Sequence, residues 1–193
     1  MSSYAIDDGK RLLLFDPLGV PSELEQRARE RETAIVLTAP WHERDTQSLV
    51  ERLGVPVYTP PADTAEDLME KFGITREQAG DGSPDLAWLR ASSSAQAHYF
   101  AAGDPLPFAI DVFPGFWPND LVLWIEEYRT VKTGDTLGDF GAGLEINERW
   151  LPEGVTREQI AEPLRPLLEL PVEHVLPAHG APTNRSALER ALG

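Results

Sequence analysis

Short apolar runs, each followed by Gly, Pro or Asp, recur along the chain and predict β-strands. The turn "DDGK" lies between Tyr4–Ile6 and Arg11–Phe15 and predicts a hairpin, because Asp-Gly between apolar runs favours a tight turn. The runs around Ala34 to Thr38 in "AIVLT" and around His174 to Leu176 in "VEHVL" are mainly apolar, which is typical of strands covered on both faces. We therefore expect both to be central. Between them, "AHYFAAGD", "FAIDVFPG" and the long "LVLWIEEYRTVKTGD" predict a region of strands.

Amphipathic segments predict helices between these strands. "PSELEQRARERE" has Ser22 as a candidate cap, and "DTQSLVERLG" has apolar residues at helical spacing and ends at Gly54. "ADTAEDLMEKFG", a Pro-interrupted "TREQIAEPLRPLLEL" and "NRSALERAL" predict three more helices. The polar stretch 73–96 predicts an insertion or a lid.

Composition narrows the class of protein. A chain of 193 residues fits a single domain over 1–193, and its net charge of −15 would repel a phosphate backbone, so we expect no nucleic-acid partner. There is no cysteine, so a transition-metal site would need His with Asp or Glu. The N-terminal segment lacks the bases and the long apolar run of a signal peptide or membrane span. These features predict a soluble protein of the cytoplasm that does not bind membranes.

Candidate chemistry is confined to a few positions. "PWHERD" follows a predicted strand and contains His42, which permits three interpretations: a metal-binding loop, the remains of one, or a helix start with Asp45 as its N-cap. His98 and His174 are expected to be structural or at the surface. The serine run at 92–95 lacks a G-x-S-x-G context and is not expected to supply a nucleophile.

Four landmarks resemble the metallo-β-lactamase superfamily in their order along the chain. "LLLFDPLG" is similar to its Asp-ending strand, "AIVLT" leads to the position of its H-x-H-x-D-H loop, "KTGDTL" matches its Gly-Asp motif, and "VLPAHG" matches its terminal P-x-H-G. The resemblance covers about Tyr4 to Arg190. It implies an α/β (α+β) fold, a four-layer αββα sandwich.

The resemblance also implies where metal ligands would lie, and most are replaced. In the register we prefer, Pro40 stands at the first His of the loop, His42 keeps the second, Arg44 replaces the Asp and Asp45 the last His. In the other register, one residue earlier, the only remaining match is Glu43 in place of the Asp ligand.

Downstream of the loop, Val112 stands at the third His of the family, and Phe116 near the second His of that segment. Asp135 and His179 match the bridging Asp and the final His. The ligands carried over are thus His42, Asp135 and His179.

Three functions follow from this interpretation. The first is a protein of this fold that has lost the dinuclear centre and binds a small molecule. The second is a hydrolase of an ester, thioester, lactone or related substrate that uses a single zinc on His42, Asp135 and His179, with water as the fourth ligand. The third is an acidic protein-interaction module. Cofactor content is thus none or a single zinc, and oligomeric state stays open.

The pocket is expected to include Trp41, Arg44, Asp45, Asp16 and Phe116, with Asp16 organising a turn near the site. We further hypothesise that Arg44 supplies the positive charge that a metal would have supplied, with its guanidinium paired to Asp135. The alternative is that Arg44 points into solvent from the helix start.

Overall fold

A computed structural model describes residues 1–83, 86–91, 96–151 and 154–193 of the chain. The strands in this part are β1 (Tyr4–Asp7), β2 (Arg11–Phe15), β3 (Glu32–Val36), β4 (Val57–Thr59), β5 (Ala97–Tyr99), β6 (Ile110–Pro114), β7 (Leu121–Ile125), β8 (Thr130–Thr133), β9 (Leu137–Asp139), β10 (Leu144–Ile146), β11 (His174–Pro177) and β12 (Thr183–Asn184). The α-helices are α1 (Ser22–Ala28), α2 (Thr46–Leu53), α3 (Ala65–Phe72), α4 (Arg76–Ala79), α5 (Ala87–Ala91), α6 (Arg157–Ala161) and α7 (Arg185–Leu192).

Two five-stranded sheets form the centre of the molecule. The first has the order β1-β2-β3-β4-β5, and the second β12-β11-β8-β7-β6. A separate hairpin of β9 and β10 lies between β8 and β11 in the sequence. Strand β3 is the middle strand of its sheet, and β11 lies inside the other sheet beside the short edge strand β12.

Side chains that alternate along each strand divide into three apolar layers. Leu13 and Phe15 of β2 face the second sheet and pack with Leu121 and Leu123 of β7. The intervening residues Leu12 and Leu14 pack instead against the helices of the first sheet. The outer face of the second sheet packs against residues of α6, α7 and the 3₁₀ helix Glu162–Glu169. Helices thus cover both outer faces, and the predicted αββα sandwich is confirmed.

Local differences from the prediction have identifiable causes. The long strand predicted through 121–135 is a hairpin of β7 and β8, because Glu126–Tyr128 form a 3₁₀ turn and Arg129 adopts a φ of 45°. Helix α1 begins at Ser22 itself, so Pro21 is the N-cap and no side chain caps the helix. Helix α2 ends at Gly54 as predicted, with a left-handed φ of 66°.

Part of the 73–96 stretch is helical. Helix α4 and helix α5 lie within it, and Leu86 and Leu89 pack into the apolar layer beneath α2. The serine run at 92–95 lies outside the described residues. Across the described ranges, no helix has the length and apolar character needed to cross a bilayer.

Candidate functional site

The register of two parallel strands brings Asp135 and His179 together. Strands β8 and β11 pair in parallel, with Thr133 opposite Pro177. Asp135 and His179 each lie two residues after this pair. They therefore follow the carboxyl ends of neighbouring parallel strands and lie side by side at the same end of the sheet. Nε2 of His179 is 3.0 Å from Oδ1 of Asp135.

The segment after β3 brings two more side chains to the same carboxylate. Pro40–His42 form a 3₁₀ helix that begins with proline, which turns the chain soon after the strand ends. Nε2 of His42 lies 3.0 Å from Oδ1 of Asp135, and the indole N–H of Trp41 donates to Oδ2 at 2.9 Å. Both oxygens of Asp135 are therefore engaged.

The buried carboxylate of Asp16 orients His42 through Nδ1, the ring nitrogen that does not face Asp135. Asp16 follows β2 and is fully buried, and it accepts the backbone N–H of Thr38 at 2.8 Å and its hydroxyl at 2.9 Å. Because the Thr38 hydroxyl hydrogen is directed at Asp16, the Thr38 oxygen accepts from Nδ1–H of His42 at 3.0 Å. This relay turns Nε2 of His42 toward Asp135.

Lys132 is a second buried charge at this site, and the sequence analysis did not single it out. Its side chain is fully buried, and Nζ is 2.6 Å from Oδ2 of Asp16. The ammonium also donates to the carbonyl of Thr133 at 2.6 Å and lies 5.8 Å from the centre of the Tyr4 ring. Lys132 therefore neutralises Asp16 directly.

Asp120 supports the Gly-Asp turn from the other side. Its Oδ1 accepts the backbone N–H of Asp135 at 2.8 Å, and its Oδ2 accepts the Thr136 hydroxyl at 2.5 Å. The side chain is fully buried, and burial together with the nearby charge of Asp135 raises its pKa. Asp120 thus fixes the backbone that carries Asp135.

The two histidines have opposite pKa shifts. Burial lowers the pKa of His42, but the charge of Asp16 and the hydrogen bond to Asp135 outweigh it and raise the pKa to about 9. Burial lowers the pKa of His179, and the attraction of Asp135 does not reverse that shift. Burial raises the pKa of Asp135, but the hydrogen bonds from His42 and Trp41 and the charges of the two histidines together lower it below its usual value. At neutral pH the site therefore contains an imidazolium at His42, a carboxylate at Asp135 and a neutral His179.

The predicted pair between Arg44 and Asp135 is wrong. The guanidinium of Arg44 donates instead to the carbonyls of Ser2 and Asp16, both at 2.9 Å. Arg44 also has a left-handed backbone, with a φ of 45°. Positive charge comes to Asp135 from His42 and to Asp16 from Lys132.

Two other predicted positions need correction. Asp45 is the N-cap of α2 but does not cap it with its side chain, which accepts the backbone N–H of Gly19 at 2.6 Å and does not line the pocket. Val112 packs between the two sheets, whereas Phe116 lies beside the Asp135 cluster. Phe116 is thus the apolar residue next to the candidate site.

An aromatic cavity of about 420 Å³ opens over the cluster. It is lined by Trp41, Leu68, Ala79, Gly82, Ser83, Phe116, Trp117, Asp135 and Trp150. Among the described residues of this wall, Asp135 is the one charged side chain. The rings of Phe140 and Trp150 lie 5.4 and 5.6 Å from the ring of His179 and form an exposed rim. A pocket of this size and character suits a small apolar ligand.

Solved structures of known proteins share this architecture. TTHA1623 in a di-iron-bound form matches with a TM-score of 0.61 and 25% identity over 98% of this chain and 92% of that chain. An archaeal metallo-β-lactamase superfamily protein from Sulfolobus tokodaii matches with a TM-score of 0.65 and 14% identity over 98% of this chain and 78% of that chain. The BLEG-1 B3 metallo-β-lactamase gives 0.59 and 20% identity over 96% and 89%.

The chain has the metallo-β-lactamase fold. No family model matches the sequence. A curated FMN-dependent NADH:quinone oxidoreductase of Alkalilimnicola ehrlichii (strain ATCC BAA-1101 / DSM 17681 / MLHE-1) is 29% identical over 118 residues, 58% of this chain. The chain covers 56% of that protein, so it spans about half the length of the curated relative it matches.

The donor atoms of this site fit one metal ion. Ligand atoms of His42, Asp135 and His179 lie within 4.8 Å of one another, and no other such group occurs among the described residues. Two imidazoles and a carboxylate are donors that zinc accepts, and the Thr38–Asp16 relay holds His42 as a metal-binding histidine is held. Oδ2 of Asp135 accepts from Trp41, and the guanidinium of Arg44 donates to the carbonyl of Asp16.

We expect the stability of the protein to fall as pH rises from about 6.5 to about 9. The pKa of His42 is raised in the folded state to about 9, so its stabilising proton is fully bound below pH 6.5 and is lost as pH passes 9. The loss is on the order of 3 kcal/mol. Urea unfolding at a series of pH values measures it.

His42→Gln is the control for this pH dependence, because it removes the titrating group and keeps an amide donor near Asp135. Burial lowers the pKa of Lys71 to about 8, which gives an opposite slope at higher pH. The difference between wild type and His42→Gln cancels that contribution. A difference that is constant between pH 6 and 9 would contradict the assignment.

Proposed function

We propose that this protein works without a dinuclear metal centre and binds a small, uncharged aromatic molecule in the cavity above Asp135. The observation that carries the proposal is the hydrogen bond from Trp41 to Oδ2 of Asp135. A carboxylate that bridges two ions through both oxygens needs both of them free, and here Oδ2 is held by an indole N–H. The remaining oxygen faces His42 and His179.

The cavity wall supports the choice of ligand. Three indoles and Phe116 line it, and aromatic walls favour flat apolar molecules through stacked and edge-to-face contacts. The charge of Asp135 is already balanced by the imidazolium of His42, so an ionic ligand gains little from it. Asp135 accepts hydrogen bonds, which favours a ligand with one N–H or O–H donor.

The segment 73–96 is proposed as a lid over this cavity. Ala79, Gly82 and Ser83, which belong to this segment, line the cavity wall. The acidic, cysteine-free composition supports a cytoplasmic protein with no nucleic-acid partner. The same acidic surface leaves a protein partner as the remaining alternative.

A second function is favoured by the convergence of His42, Asp135 and His179. These residues would hold a single zinc ion, which supplies an activated water for hydrolysis of an ester, thioester or lactone when bound. His42 would first lose the proton on Nε2. Because the pKa of His42 is about 9, zinc would have to compete with that proton at neutral pH. Asp16 and Thr38 would keep His42 in the orientation that the ion needs.

Binding of N-phenyl-1-naphthylamine, a neutral aromatic amine with one N–H, tests the first function. We expect saturable 1:1 binding that quenches tryptophan fluorescence. Trp150→Ala should weaken binding about tenfold, since it removes one aromatic wall. Tyr99→Ala is the matched control, because Tyr99 is exposed on β5 and does not line this cavity.

Elemental analysis and hydrolysis assays separate the two functions. The first function predicts well under one equivalent of zinc or iron and no enzyme-like turnover of a lactam or thioester. One equivalent of zinc, with hydrolysis that a chelator abolishes and zinc restores, would establish the second function instead. A protein with neither probe binding nor metal would contradict both and leave the interaction module.

A further inference from the structure

Lys132 occupies a position where a strand residue is expected to be apolar. It lies on β8, which is paired on one side with β7 and on the other with β11. Its neighbour Val131 packs into the outer layer under the helices, so Lys132 faces the opposite side, between the two sheets. The whole side chain is excluded from solvent.

The contacts of Lys132 satisfy its ammonium within the protein. Nζ contacts Oδ2 of Asp16 and the carbonyl of Thr133, both at 2.6 Å, and the Tyr4 ring lies beneath it. Oδ2 of Asp16 is also 3.6 Å from Nδ1 of His42. The ammonium is thus connected through one carboxylate to the histidine that faces Asp135.

Lys132 changes the charge balance that a divalent ion would meet at this site. The carboxylates of Asp16 and Asp135 carry two negative charges, which would balance a divalent ion, but the ammonium of Lys132 already neutralises one of them. A divalent ion bound at His42, Asp135 and His179 would therefore leave one positive charge in excess. Excess charge is costly in a buried site, because the surrounding medium screens it poorly.

We propose that the ammonium of Lys132 replaces the positive charge of a metal ion in this site and so disfavours a divalent cation at His42, Asp135 and His179. The proposal rests on the proposed loss of the dinuclear centre. It makes Lys132 a positioning residue that acts on the cluster through Asp16.

Zinc titration of metal-free protein tests the proposal, with wild type, Lys132→Met and Lys132→Gln compared by calorimetry. Met removes the charge, and Gln removes it while keeping an amide that can donate to Asp16. We expect both variants to bind one zinc roughly tenfold or more tighter than wild type, because one nearby positive charge is gone. Lys10→Met is the matched control, since it removes the same charge from an exposed turn.

His179→Ala in the Lys132→Gln background locates the ion, and it should abolish the gain. If Lys132→Met or Lys132→Gln is unfolded in metal-free buffer, added zinc should restore its circular dichroism spectrum, because the ion supplies the missing charge. Zinc affinity equal to that of wild type or of Lys10→Met, or a failure of zinc to refold the variants, would overturn the proposal. Tight zinc binding by wild type would contradict the proposed function, while the ratio of the affinities would still test the role of Lys132.

Discussion

Gly134→Ala is expected to lower the free energy of unfolding by about 2 to 5 kcal/mol. Gly134 does not have a positive φ, so the backbone alone does not require glycine there. A Cβ at this position would instead overlap Oδ1 of Asp120, a fully buried atom that accepts the amide of Asp135. The methyl group would displace Asp120 and leave that amide without a partner.

Urea unfolding of Gly134→Ala measures this cost, and Gly9→Ala is the control. Gly9 has a φ of 87° and open space around its Cα, so its substitution carries only the cost of a left-handed residue, about 1 to 2 kcal/mol. We also expect Gly134→Ala to shift the Nε2 resonance of His42, because Asp135 moves with its backbone. A stability loss no larger than that of Gly9→Ala would refute the steric explanation.

The fold could be predicted from the sequence because its strands contain clear apolar runs. "RLLLF" and "AIVLT" are apolar at every or nearly every position, and both prove to be covered on two faces, by the other sheet and by helices. The hairpin of β7 and β8 could not be predicted from the sequence. Its turn consists of Glu126–Tyr128, which contain no Gly, Pro or Asn to mark it.

The candidate site could be predicted from the sequence only where the order of motifs along the chain determines which side chains meet. Asp135 and His179 follow two strands that pair in parallel, so motif order was enough to bring them together. The role of Lys132 was not accessible, since a lysine that alternates with apolar residues on a strand normally indicates a solvent-facing side. In this fold the first sheet covers that side, and only tertiary structure reveals the burial.

Arg44 illustrates a different limit of sequence reasoning. Its position in the loop suggested a replacement for a metal ligand, but its guanidinium binds the backbone carbonyls of Ser2 and Asp16, and its φ is 45°. Asp16, whose carbonyl Arg44 binds, has a φ of 44°. Two non-glycine residues in this region beside one site indicate local strain that the surrounding hydrogen bonds maintain.

Asp16→Asn is expected to destabilise the protein by about 3 to 5 kcal/mol, because it leaves the buried ammonium of Lys132 without its counter-ion. Asparagine has the same shape as aspartate and tolerates a positive φ, so the substitution changes the charge and not the backbone. The large cost should come from Lys132 and not from the lost acceptor, since the amide oxygen can still accept the N–H of Thr38.

The double variant Asp16→Asn/Lys132→Met separates these contributions. It removes both charges together, so we expect it to recover most of the stability lost in Asp16→Asn, which a double-mutant cycle by urea unfolding measures as a strong coupling. Lys10→Met combined with Asp16→Asn is the control and should show no coupling, because Lys10 lies in an exposed turn. Additive losses in the Asp16 and Lys132 pair would mean that the two charges do not stabilise each other. The internal ion pair would then not explain how the site holds His42 in place.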